Sequence, residues 1–147
     1  MTIEEQLLAF EEVHRKRGLK ITHQRLEIFK ELLNSNDHPT VEKIYSRLKS
    51  KLPTLSLDTI YRTLTTLEQH GLVSRVQTME SQARFEGKME QHHHVVCKKC
   101  SSITDFYWKF FDRTPLPEEI EKWGYIQQKS ITLHGLCHKC SQGKREE

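Results

Sequence analysis

The chain has no long apolar run, no internal repeat, no low-complexity tract and no cysteine outside two short pairs. A membrane-spanning helix needs about 20 consecutive, mostly apolar residues, so no such span is expected. A leader with an apolar core and a small-residue cleavage site is also missing, and the expectation is a soluble protein of the cytoplasm. A strong charge of one sign is lacking too. Lys and Arg number 23 against 20 Asp and Glu, a net +3 spread over both halves of 147 residues. That balance permits a nucleic-acid partner without demanding one. No His-Glu-x-x-His run is present, which counts against a zinc hydrolase, since such an enzyme needs an open coordination position and a poised base.

What is present divides into two parts. Residues 2 to 17 carry Ile3, Leu7, Leu8 and Val13 among charges and predict a helix stopped by Gly18. Thr22 stands as an N-cap before Leu26, Phe29 and Leu33, which share one helical face, and that helix ends near Asn34. Thr40, after His38 and Pro39, caps a third helix whose face is Val41, Ile44, Tyr45 and Leu48. Ser56 opens a fourth that buries Ile60, Leu64 and Leu67 and ends at His70-Gly71. Leu72 to Val76 and Ala83 to Glu86 then read as two short strands. Helices followed by a hairpin describe a winged helix-turn-helix.

The remainder holds all four cysteines, both tryptophans and five of the nine histidines. Val95-Val96, Ile103 to Tyr107 and Tyr125 to Leu133 are strand candidates, with a short helix over Pro117 to Trp123. The expected class is α+β: a winged-helix domain over 1–86, a hinge over 87–91 and an α/β domain over 92–147.

Cys97 and Cys100 form one Cys-x-x-Cys hook, and Cys137 and Cys140 form the other. A tight turn aims both sulfurs of a hook at one point, so two hooks offer four thiolates to a tetrahedral zinc. Redox-active dithiols and unmetallated surface cysteines are the alternatives. Thirty-six residues separate the hooks, more than a compact zinc ribbon uses, which predicts hooks at the ends of separate strands. Just before the first hook stands Gln91-His92-His93-His94. On an extended strand His92 and His94 share a face and His93 points away. With Glu86 and Asp105 flanking, these imidazoles suit iron, manganese or zinc, although a run of histidines is also compatible with a solvated strand end.

Taken together, the motifs resemble the ferric-uptake-regulator superfamily of iron, zinc, manganese and peroxide sensors. The residues that carry the resemblance are Ile21-Thr22-His23-Gln24-Arg25, His38-Pro39-Thr40, Thr59-Ile60-Tyr61-Arg62-Thr63-Leu64, Gly71-Leu72-Val73, Arg84-Phe85-Glu86, His92 to Cys100, Asp105-Phe106 and Gly135 to Cys140, in order from about residue 15 to residue 140. The resemblance implies a homodimeric repressor that pairs through its C-terminal domains, carries structural zinc, and grips a palindromic operator in double-stranded DNA. It also implies a regulatory Fe2+ or Mn2+, or Zn2+, ligated by His38, Glu86, His92, His94 and Asp105. Where some members hold a further ion, Gln91, His93, Asp112 and Lys129 stand here, so that ion is not expected. Ser101 occupies a place where many members have glycine. Glu86 matches the iron sensors, peroxide sensors usually having aspartate; the single regulatory site matches the peroxide type instead. A zinc-ribbon interaction module is a weaker reading, because it leaves the winged helix unexplained.

For DNA contact, Ser56, Thr59, Tyr61 and Arg62 lie toward the start of the fourth helix, where recognition helices meet base edges. Tyr61 and Arg62 are the expected base readers. Arg15, Lys16, Arg17 and Lys20 are candidate phosphate contacts, with a solvated helix end as the plainer reading.

Overall fold

The computed structural model describes residues 2–76, 78, 80–87 and 90–142. Contacts divide the chain into two compact units, Met1–Glu90 and Gln91–Glu147. Among the described residues no helix is long and apolar enough to cross a membrane.

The first unit is a winged helix-turn-helix: α1 (Ile3–Lys16), α2 (His23–Leu33), α3 (Val41–Leu48) and α4 (Leu57–Gln69), then an antiparallel hairpin of β1 (Ser74–Val76) and β2 (Arg84–Glu86). One device begins each of these four helices. The hydroxyls of Thr2, Thr22, Thr40 and Ser56 accept the backbone N–H of Glu5, Arg25, Lys43 and Thr59, which satisfies an amide the helix itself leaves unpaired. Helix α4 stops because Gly71 takes φ +74°, a left-handed turn that costs glycine little. Ile28, Phe29, Leu32, Ile44, Ile60, Leu64 and Phe85 form the centre of the core, each buried almost completely. Each such side chain contributes roughly 1.5–3 kcal/mol of burial.

Two features of this unit go beyond or against the sequence pattern. The inner face of α1 is Gln6, Phe10 and His14; Ile3 and Leu8 are exposed. Phe10 stacks on Phe29 with ring centroids 4.9 Å apart, and a large aromatic sets the helix's rotation over smaller aliphatics. Leu72 and Val73 precede β1 and belong to the core.

The second unit is a three-stranded sheet in the order β4-β3-β5, from β3 (His93–Cys97), β4 (Ile103–Phe106) and β5 (Thr132–Gly135). Strand β3 runs antiparallel to β4 and parallel to β5. Two short helices, α5 (Lys109–Arg113) and α6 (Glu118–Trp123), lie in the crossover. Helix α5 is absent from the sequence reading, being five residues without a capping side chain. The strand expected over Tyr125 to Leu133 is confined to Thr132–Gly135, because only from Ile131 onward does the chain hydrogen-bond alongside β3.

Candidate metal centres and recognition surface

The parallel register of β3 and β5 sets Cys97 opposite Gly135, and Lys98 donates its N–H to the Gly135 carbonyl at 2.8 Å. Both hooks therefore turn at the same end of the sheet. The four sulfurs lie within 4.8 Å of one another, and Cys100 Sγ to Cys137 Sγ is 3.8 Å. A tetrahedron with metal–sulfur bonds near 2.3 Å has edges of about 3.8 Å, so the donor set fits zinc. The backbone N–H groups of Cys100 and Cys137 point at Cys97 Sγ and pull its thiol down to about 6. Contact with the Cys137 thiol pushes Cys140 up to about 12. Ser101, which closes the first turn, has φ +64°, the conformation that glycine takes more easily.

In the first unit His38 and Glu86 form a buried pair, His38 Nε2 to Glu86 Oε2 being 3.0 Å. His38 has φ +50°, a left-handed conformation that costs an L-residue about 1–2 kcal/mol. Its surroundings impose that conformation. Arg84, buried on β2, donates Nε to the His38 carbonyl and Nη2 to the Asp37 carbonyl at 2.7 Å. Arg47 grips the Asp37 carboxylate with both terminal nitrogens and, by that hydrogen bonding, holds its carboxyl below the usual range. Phe85 N–H donates to the Pro39 carbonyl at 3.0 Å, which completes the seam between β2 and the loop.

In the second unit His94 and Asp105 are direct cross-strand partners, with His94 Nε2 3.4 Å from Asp105 Oδ1. His92 Nε2 lies 3.9 Å from the same oxygen, and the two imidazoles meet edge-on at 4.8 Å. Two imidazoles and a carboxylate thus gather on one face of β3. His93 faces the other way, fully buried. Its Nε2 is 2.7 Å from Asp112 Oδ1 and its Nδ1 accepts the Ile131 N–H at 3.1 Å, so both ring nitrogens are engaged by the protein. The Gln91 amide donates to the Lys129 carbonyl at 3.0 Å.

On α4, Tyr61 and Arg62 are exposed, and Arg62 Nε pairs with Asp58 Oδ2 at 3.0 Å one turn earlier. The Ser56 hydroxyl caps the helix and also meets Thr59 Oγ1 at 2.9 Å. Arg15, Lys16, Arg17 and Lys20 are exposed around the end of α1, Lys16 pairing with Glu12 at 3.2 Å. Sequence reasoning missed Arg47, Arg75 and Arg84. Arg84 reaches carbonyls 46 and 47 residues away, and the partners of Arg47 and Arg75 lie across a loop or turn, so no periodicity distinguishes these arginines from ones in solvent.

The ferric uptake regulator family profile matches residues 16–134. The peroxide-responsive repressor PerR of Staphylococcus epidermidis is 32% identical over 129 residues, 87% of this chain and 85% of that protein. The peroxide operon regulator of Bacillus subtilis is 30% identical over 131 residues, 89% of this chain and 90% of its own. Among solved structures, the ferric uptake regulator Fur of Helicobacter pylori, described as having three functional metal-binding sites, superposes with a TM-score of 0.80 at 27% identity. That match covers 98% of this chain and 97% of the other. The Streptococcus pyogenes regulator PerR, described for peroxide sensing, gives a TM-score of 0.53 at 30% identity, covering 90% of each chain.

Proposed function

This chain belongs to the ferric uptake regulator family, and from that premise we propose that it is a metal-responsive transcriptional repressor which binds a palindromic operator as a homodimer. The observation that carries the reading is the pairing of two unlike donor sets. Four thiolates at one end of the sheet suit zinc held permanently for structure. The imidazole and carboxylate groups of His38, Glu86, His92, His94 and Asp105 suit a more exchangeable Fe2+ or Mn2+.

A divalent ion would supply positive charge to these carboxylates and a reason for the donors of both units to engage together. The protein's own part is to keep those donors ready. Arg84 and Arg47 hold the His38 loop, the β3–β4 register holds His94 beside Asp105, and Glu86 sits on the strand that forms the wing. Metal occupancy would then favour the DNA-competent arrangement over others already in the ensemble. On the DNA side, Tyr61 and Arg62 would meet base edges from α4. Ser56, Thr59 and the cluster Arg15, Lys16, Arg17 and Lys20 would meet phosphates. On this reading the protein acts in the cytoplasm as a regulator and not as an enzyme.

The experiment is a gel shift on promoter DNA with zinc-loaded protein, with and without added Mn2+ or Fe2+. Retardation only in the presence of the second ion, weakening steeply with salt, is expected. Equal retardation without that ion overturns the switch.

A second reading, peroxide sensing, is favoured by the peroxide-responsive relatives. Protein loaded with ferrous iron and exposed to low peroxide would gain oxygen on the peptides that contain His38 and His92. Stoichiometric gain with release of DNA supports the peroxide reading. An unmodified protein that releases DNA on iron withdrawal supports iron sensing.

A further inference from the structure

The hairpin carries a second arginine whose surroundings differ from those of Arg84. Arg75 on β1 is the cross-strand partner of Phe85 on β2, and side chains directly opposite one another stand on the same face. The Arg75 guanidinium lies 5.0 Å from the Phe85 ring centroid and 5.9 Å from the Tyr61 ring centroid. Its Nη2 is 3.2 Å from Glu68 Oε1, on the last turn of α4. One planar cation therefore touches the wing and two separate turns of the fourth helix.

Such a seat restricts Tyr61. The side chain is about half exposed, at 49%, and an exposed tyrosine on a helix would otherwise sample several rotamers. Burial opposes the charge of Arg75, yet hydrogen bonds to Glu68 and Tyr61 outweigh it and hold the guanidinium in its charged form. Phe85 is sealed in the core and cannot move to follow the ring, so the base of the stack is rigid. Phe85 also precedes Glu86, whose side chain leaves the opposite face of the strand.

We propose that Arg75 is a specificity-determining positioning residue: bridging Phe85, Glu68 and Tyr61, it fixes the Tyr61 ring on the exposed face of α4 and so sets the preference at the base step that Tyr61 meets. The inference rests on the DNA-binding reading above. Arg75 does not itself contact the base; it reduces the ordering that Tyr61 must undergo on binding, and the benefit is largest for the one base that suits the fixed orientation.

The test uses full-length, zinc-loaded protein with saturating Mn2+. A pool of randomised duplexes is selected with the unaltered protein, and the selected duplex and its full set of single base-pair substitutions are then bound by Y61A, R75Q, R75K and E68Q. Y61A is expected to flatten preference at one position per half-site. R75Q should flatten that same position by roughly two- to fivefold, the worth of one exposed cation–aromatic contact, and leave the other positions unchanged. R75K, which keeps the charge but loses the planar fork, should fall between R75Q and the unaltered protein. R75Q combined with Y61A should be no flatter than Y61A alone. E68Q loosens Arg75 from the side away from DNA and gives the same pattern more weakly, which keeps the test open if R75Q folds poorly. A uniform loss at all positions in R75Q and E68Q would make Arg75 a phosphate contact or a fold element and overturn the proposal. Flattening by Y61A with none by R75Q overturns the proposal alone; no flattening by Y61A removes Tyr61 as a base reader and the proposal with it, and failure of the unaltered protein to select any duplex removes the DNA-binding reading as well.

Discussion

The centre of the first unit depends on single arginines that hold the backbone in place for a neighbouring ligand. Arg84 donates to the carbonyls of both Asp37 and His38, and a lysine cannot replace a planar fork that serves two acceptors. Replacing Arg84 by Lys should therefore release the left-handed turn at His38 and weaken binding of the second metal by roughly 10- to 100-fold, as loss of a ligand's supporting hydrogen bonds typically does. Titration of zinc-loaded protein with Mn2+, followed by electron paramagnetic resonance, measures this, and an unchanged affinity would show the loop to be held by other groups. Cys97→Ser acts differently. Cys97 receives the N–H groups of both hooks, so its loss should remove zinc and unfold the second unit, which atomic emission and circular dichroism would register together.

At the scale of the element, α4 performs two tasks with one residue. Ser56 caps the helix, and it also lies where a phosphate contact is proposed. Ser56→Ala should cost about 1 kcal/mol of stability with a modest loss of DNA affinity. Ser56→Asp keeps a good cap but adds a negative charge, so thermal stability should hold while DNA binding collapses. If S56D bound DNA normally, Ser56 would be a cap and nothing more. Arg62 is held by Asp58 one turn earlier, a contact between two exposed groups that the proposed base contact would displace. Arg62→Ala should relax base preference by about 1–3 kcal/mol if the guanidinium reads a base edge bidentately. The elements themselves were largely legible in the sequence, because Thr22, Thr40 and Ser56 are strong caps set before amphipathic runs. Of the apolar residues noted for α1, Leu7 and Val13 pack on the core while Ile3 and Leu8 are exposed, and the part played by Phe10 is a matter of packing against Phe29 that spacing does not encode. The strand expected from Tyr125 was overextended at its start, where Tyr125, 84% exposed, lies outside the sheet, while Leu133 is in β5. The four thiols could be named as candidate zinc donors from type and spacing, whereas His38 entered only through the family resemblance. The arginines that hold the His38 loop could not be named, because a fork onto main-chain carbonyls some 46 residues away leaves no mark in local pattern.

Across the whole molecule, the thiolate centre joins segments that the chain order keeps apart. The parallel pairing of β3 with β5 spans the β4 strand and both short helices, and every helix and strand of the described residues precedes the second hook. Closing so long a loop carries an entropic cost that must be met before the strand contacts reward it. Zinc held by the four thiolates would span that gap as a cross-link does, favouring the closed chain by restricting the open one. The two units accordingly differ in timing during synthesis. The winged helix is a compact unit that ends at Glu90 and can fold while later residues are still being added, whereas the sheet waits for Cys137 and Cys140 to emerge. A nascent chain short of Cys140 should therefore show a protease-resistant first unit attached to an open second one, and zinc supply would govern the step from half-built regulator to finished repressor.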